Sequence, residues 1–91
     1  MSDMVSFNVT YDRRADVLYI NTRKEAAART LTDDHGIYWR QDSVGNVIGA
    51  TILDFVDYWQ QHRPTLEVAL SHRFDVPINQ MRTILDHATQ K

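Results

Sequence analysis

Cysteine is absent from this sequence of 91 residues. Disulfide scaffolds, thiolate zinc sites and cysteine nucleophiles are therefore excluded together. Glycine and proline are scarce, at 3 and 2 copies, and no glycine-rich phosphate loop, low-complexity tract or linker is present. Charge of one sign is nowhere concentrated: the formal net charge is -2 and no run of like charges exceeds two residues. A protein that coats nucleic acid with a basic stripe would look different, although a small basic patch on one face is compatible with these counts. No apolar run approaches the length needed to cross a bilayer. Met1 to Ser6 lack a charged segment followed by an apolar one, so no secretory signal is visible. A cytoplasmic protein with no membrane partner is the expectation.

The 43% hydrophobic and 24% charged residues are ordinary for a globular chain and unlike a disordered one. The length suits a single domain, 1–91, and is too short for two independent cores. One core of this size is only marginally stabilising, so self-association, most simply as a homodimer, is expected.

Val5 to Tyr11 alternates, with Val5, Phe7, Val9 and Tyr11 on one face of a half-buried strand. After a polar break at Asp12 to Asp16, Val17 to Ile20 forms a second strand, paired with the first as a hairpin. Arg23 to Ala28 is too short for a stable helix and serves as a connector. A short edge strand at Arg29 to Thr32, a strand at Ile37 to Gln41 and a last strand at Val47 to Leu53 follow, separated by turns at Asp33 to Gly36 and Asp42 to Asn46. The pattern changes at Asp54, which is placed to cap a short amphipathic helix carrying Phe55, Val56, Tyr58 and Trp59. Pro64 suits the first turn of the next helix, with Leu66, Ala69 and Leu70 as its apolar stripe. Asp75 and Pro77 announce a final helix in which Ile78, Met81, Ile84, Leu85 and Ala88 follow the helical period. The expected fold is α+β: an N-terminal antiparallel β-meander of four to five strands in 1–54, then two to three short helices in 55–91.

Several residues form a specific string: Tyr11-Asp12, then Ala15-Asp16-Val17-Leu18-Tyr19-Ile20, then Gly36-Ile37, Asp42, Gly45, Val47, Gly49 and Ile52-Leu53-Asp54. This string resembles the bacterial domain of unknown function 2283 family over roughly the first 54 residues. The resemblance implies a small β-rich domain with no established activity. Members are encoded beside small toxin-like ribonuclease proteins, which implies an antitoxin-like role with a small toxin-like partner. Trp39, Arg40 and the helical extension depart from the family pattern. The same string has a plain physical meaning: Tyr11, Leu18 and Ile20 as core residues, Asp12 and Asp16 shaping a turn, and the glycines serving turns or bulges.

Leu70 to Leu85 also resembles a helix-turn-helix, with Ser71 as the small residue, Val76 in the turn, and Met81 and Ile84 packing back. Asn79, Gln80, Arg82 and Thr83 would be its exposed, DNA-binding positions, suited to base edges and phosphates. Asp75 stands where such a turn usually carries glycine. Two amphipathic helices packed as a hairpin need only the same apolar positions.

His35 follows Asp33 and Asp34, but ligands this close on one turn seldom surround an ion, and His62, His72 and His87 are scattered. Asp12 and Asp16 could form a carboxylate pair for acid–base work, yet no nucleophile with an adjacent base accompanies them. No catalytic residue, metal ligand or cofactor site is assigned. Phe55, Tyr58 and Trp59, with Trp39 from the strands, are the candidate partner-binding residues. Trp39 and Trp59 are not expected both to be buried if Tyr11, Tyr19 and Phe7 already fill the core. The sequence thus points to a non-enzymatic binding or regulatory module acting through protein–protein contact. A sequence-specific DNA-binding regulator and a small enzyme or ligand-binding protein stand as alternatives.

Overall fold

A computed structural model describes residues 6–22 and 26–89. These form β1 (Asn8–Asp12), β2 (Val17–Asn21), β3 (Arg29–Thr32), β4 (Tyr38–Gln41) and β5 (Val47–Leu53). A 3-10 helix (Trp59–His62), α1 (Arg63–Phe74) and α2 (Ile78–His87) follow. The fold is α+β, a five-stranded antiparallel sheet followed by two α-helices. Val5 and the first part of the Arg23 to Ala28 connector lie outside the described residues.

The strand order is β1-β2-β5-β4-β3, which corrects the simple meander. Neighbours in sequence are the default partners in a sheet; β1 with β2, β3 with β4 and β4 with β5 obey this, and β2 with β3 does not. β5 instead lies between β2 and β4, pairing Leu18 with Ile52 on one side and Trp39 with Ala50 on the other. The seven positions between Asn21 and Arg29 explain why β2 and β3 can part. They can reach about 23 Å when extended, against roughly 14 Å for three inter-strand steps. β5 is the longest strand and buries Ile48, Gly49, Ala50 and Ile52, so the centre is where its apolar surface is best covered.

Residues directly opposite in antiparallel strands share a face. One face gathers Val9, Tyr11, Leu18, Ile20, Ile52, Ala50 and Trp39, and the helices cover it with Phe55, Trp59, Leu66, Leu70, Phe74, Met81 and Leu85. Phe74 is wedged edge-on between Phe7 and Trp39, at ring distances of 5.1 and 6.0 Å. Both tryptophans are buried after all, Trp39 at 0% and Trp59 at 3% exposure. Room exists because Tyr19, expected inside, points to the opposite face.

The helix expected from Phe55 to Trp59 is instead a turn leading into the 3-10 helix. Asp54 adopts a left-handed backbone, φ 55°, and its carbonyl accepts the amides of Tyr58 and Trp59. The α1 and α2 spans follow from their sequences more directly. Pro64 occupies the first turn of α1, and Met81 and Leu85 bury the stripe of α2.

Gly49 sits on the uncovered face between Asn21 and Arg40, its partners on either side. A Cβ there would lie 2.7 Å from Arg40 Nη1 and closer still to Asn21 Oδ1, the two atoms that hydrogen-bond across the glycine. Gly49→Val is therefore expected to lower stability by about 1–3 kcal/mol through overpacking, read as a fall in the thermal midpoint; an unchanged midpoint would refute this packing.

Candidate functional site

The carboxylates of Asp12, Asp16, Asp33 and Asp42 are spent on backbone amides. Asp12 Oδ1 accepts the amides of Arg14 and Ala15 at 3.1 and 3.3 Å, which closes the β1–β2 turn. Asp42 Oδ1 does the same for Val44, Gly45 and Asn46. Asp33 Oδ1 takes the amides of His35 and Ile37, and its Oδ2 takes the Trp39 indole N–H at 2.9 Å. That last bond satisfies the single polar atom of a fully buried tryptophan.

Asp16 joins distant parts of the chain. The Tyr11 hydroxyl donates to its Oδ1 at 2.7 Å. The amides of Val56 and Asp57, 40 and 41 residues away, donate to Oδ1 and Oδ2 at 2.8 and 3.0 Å. The Asp16 carbonyl accepts the Phe55 amide as well. The cap sought at Asp54 is thus supplied from the neighbouring β1–β2 turn, at the same end of the sheet, by a carboxylate on the amides that open the helical turn. Asp12 and Asp16 do not form a carboxylate pair for acid–base chemistry; each is committed to its own set of donors.

The electrostatics follow from these bonds. Desolvation pushes the Asp16 carboxyl upward, but the Tyr11 hydroxyl and the two amides outweigh it and hold the group below its ordinary range. Asp33 is likewise held low against desolvation by the Trp39 indole and the Ile37 and His35 amides. The Asn46 amide leads the depression at Asp42. Tyr11 is raised, first by its bond to Asp16.

Of the four aromatics singled out for partner binding, Trp39, Phe55 and Trp59 lie in the core and only Tyr58 is exposed. Tyr58 stacks on His62 with ring centres 4.3 Å apart. Two further accessible aromatics lie on the uncovered face of the sheet. There Thr10, Tyr19, Thr51, Tyr38 and Thr32 form one cross-strand row spanning all five strands. Tyr19, Tyr38 and Leu53 are 37%, 39% and 41% exposed, and a shallow depression of about 330 Å³ opens beside Tyr38, Thr51 and Leu53. The sequence signal was present: Tyr19 alternates with buried Leu18 and Ile20, and Tyr38 with buried Ile37 and Trp39. Which side of the sheet the helices would take was not readable from it.

The helix pair has the connectivity of a helix-turn-helix. Asp75 takes the left-handed conformation expected of glycine, φ 57°, and Ser71 locks the turn, donating through Oγ to the Val76 carbonyl at 2.6 Å while its own carbonyl accepts the Val76 amide. Asn79, Arg82 and Thr83 are exposed and Gln80 is half-buried. Arg82 is engaged within the domain, Nε on Glu67 at 3.2 Å and Nη1 on Asn79 at 3.3 Å. Glu67, buried on α1, also faces Arg63, which reaches Asp86 on α2 at 2.7 Å. These charges staple the helices together.

His35 and His72 meet at one shallow depression beside Val68, a pairing the sequence did not suggest. Among the described residues no group of three or more His, Asp or Glu side chains is placed to hold a metal ion.

Two outcomes follow. Asp16→Gly suits the left-handed backbone at φ 57° yet removes three side-chain bonds, so it should cost about 2 kcal/mol of stability; a neutral result in a denaturant titration would contradict the lock. Asp16, Asp33 and Asp42 have depressed values in the fold. Their contribution is present above the unfolded carboxylate value of about 3.9 and is lost as pH falls through the folded values. Thermal midpoints should accordingly hold down to about pH 4 and then drop, and Asp16→Gly should blunt that drop.

No curated protein and no solved structure matches the chain. A family model, described as a protein of unknown function (DUF2283), matches residues 8–55, the span from the first strand to the residue after the Asp54 turn. The matched region covers the whole sheet with Tyr11 and Asp16, while the amide donors Val56 and Asp57 lie just beyond its end. On that match the chain belongs to the DUF2283 family.

Proposed function

We propose that this chain is a non-enzymatic binding module, of antitoxin-like or regulatory type, that acts through protein–protein contact and self-associates through its open sheet face. The carrying observation is the row of Thr10, Tyr19, Thr51, Tyr38 and Thr32 on that face. Large aromatics are held half-exposed there, on a rigid surface that needs little ordering to bind. The row is uncharged and has the same residue types read from either edge. In a two-fold interface each side chain meets a symmetry-related counterpart, so an uncharged, symmetric row can face its own copy without like-charge opposition. Sheet faces pack about 10 Å apart when their side chains interdigitate. The signature carboxylates support the same reading from the other side: they are committed to turns and leave no acid–base pair at Asp12 and Asp16.

The toxin-like partner implied by the family resemblance belongs to this proposal. So does a second reading, a DNA-binding regulator, favoured by the Ser71 and Asp75 turn geometry. The bonds from Arg82 to Glu67 and Asn79 weaken it, because base contact would have to displace them.

Sedimentation velocity should show twice the 10.6 kDa chain mass for the native protein, and the single-chain mass for Tyr38→Arg with an unchanged circular dichroism spectrum. A native monomer, or a dimer indifferent to Tyr38→Arg and Tyr19→Arg, would sink the open-face proposal. For the second reading, Arg82→Ala should abolish salt-sensitive DNA binding; equal affinity of the variant would eliminate it.

A further inference from the structure

The groove between β1 and the end of α2 is a different surface from the open face. It has a volume of about 680 Å³. Val9, Ile84 and Ala88 provide an apolar floor, Thr83 and His87 form one wall, and Arg13 and Arg14 stand at one end. β1 is the outermost strand on this side, pairing only with β2 among the described residues. An edge strand leaves alternate N–H and C=O groups directed outward. Natural edges are usually blunted by lysine, proline or a bulge; β1 reads Asn-Val-Thr-Tyr-Asp and pairs with β2 in unbroken register. A strand edge beside a helix-walled groove is the arrangement that accepts an added strand: the backbone supplies hydrogen bonds and the groove takes every second side chain.

The charges select the occupant. Arg13 reaches only a backbone carbonyl, that of Thr89, at 3.4 Å, and among the described residues neither Arg13 nor Arg14 meets a carboxylate. Asp12 shares the rim, but its Oδ1 is turned to the amides of Arg14 and Ala15. Two arginines without an ion-pair partner among the described residues, against the one Asp12 carboxylate, leave this end of the groove net positive and suit a carboxylate on the incoming strand.

We propose that β1 and α2 form a peptide-docking groove that takes an extended segment of a partner protein as a sixth strand, with apolar side chains on Val9, Ile84 and Ala88 and an acidic side chain at Arg13 and Arg14. This rests on the reading of the chain as a protein-binding module and names the chemistry of its partner. It does not depend on the open face being the dimer contact.

The test is panning of a phage-displayed library of random octapeptides against the full chain, followed by titration of a selected synthetic peptide into isotopically labelled protein. Enriched peptides should alternate apolar and polar residues and carry Asp or Glu near one end. Binding should shift the amides of Asn8 to Asp12. It should weaken roughly tenfold in Arg14→Glu, and also in Thr83→Trp, an exposed position where added bulk fills the groove. No enrichment, or enriched peptides indifferent to both variants, overturns the groove. Tyr38→Arg separates the two proposals: peptide binding retained by a monomeric Tyr38→Arg protein supports the groove on its own. Peptides lost in Tyr38→Arg but kept in both groove variants place recognition on the open face and refute the groove.

Discussion

The Asp16 carboxylate is the constraint on which the arrangement of this domain depends. β1 and β2 can close their hairpin with Asp12 alone, but the helices must be aimed back over one face of the sheet. Asp16 does this by holding Val56 and Asp57 at the point where the chain leaves β5. The bonds are charge-assisted, and the Tyr11 hydroxyl fills a further acceptor site on the same oxygen. Phe55 is thereby seated edge-on against Tyr11 at 5.9 Å, and Trp59 follows it into the core.

A single lock at one corner would still let the helices swing. The far end is fixed by packing: Phe74, at the end of α1, sits between Phe7 and Trp39, and Arg73 lies over the Trp39 ring at 5.2 Å. Trp39 is in turn held by Asp33. The helix pair itself is joined by Glu67 with Arg63 and Arg82. Covering one face so completely is what leaves the other face bare, so the exposed tyrosines and the packed core are consequences of the same geometry.

Much of this was legible in the sequence. The β5 span, the last helix and the turn duty of Asp12 came directly from alternation, helical period and side-chain chemistry; Asp16, expected in the same turn, bonds Val56 and Asp57 instead. The strand order was not legible, because the insertion of β5 between β2 and β4 is a long-range choice made by burial rather than by local pattern. The supposed Asp54 helix failed for a related reason: its cap comes from Asp16, far away in sequence. The left-handed positions Asp16, Asp54 and Asp75 were half visible, since aspartate tolerates that conformation better than most residues. The exposed aromatic surface was least legible. Trp39, Phe55 and Trp59 looked too large for so small a core, and counting aromatics could not show that Tyr19 and Tyr38 take the outer face in their place. The groove along β1 was invisible for want of any hint that α2 ends beside an edge strand.

The signature carboxylates Asp12, Asp16 and Asp42 are devices for building the domain, while Tyr19 of the same string is turned to the open face. Native-state amide hydrogen exchange of Val56 and Asp57 tests the role of Asp16 most directly. Their turn lies outside the sheet and both residues are exposed, so only the bonds to Asp16 can slow them. The account predicts protection close to that of the Ile20 and Ile52 amides, as in one cooperative unit. Exchange at the rate of an open loop would show that the Asp16 lock does not hold, and would contradict it.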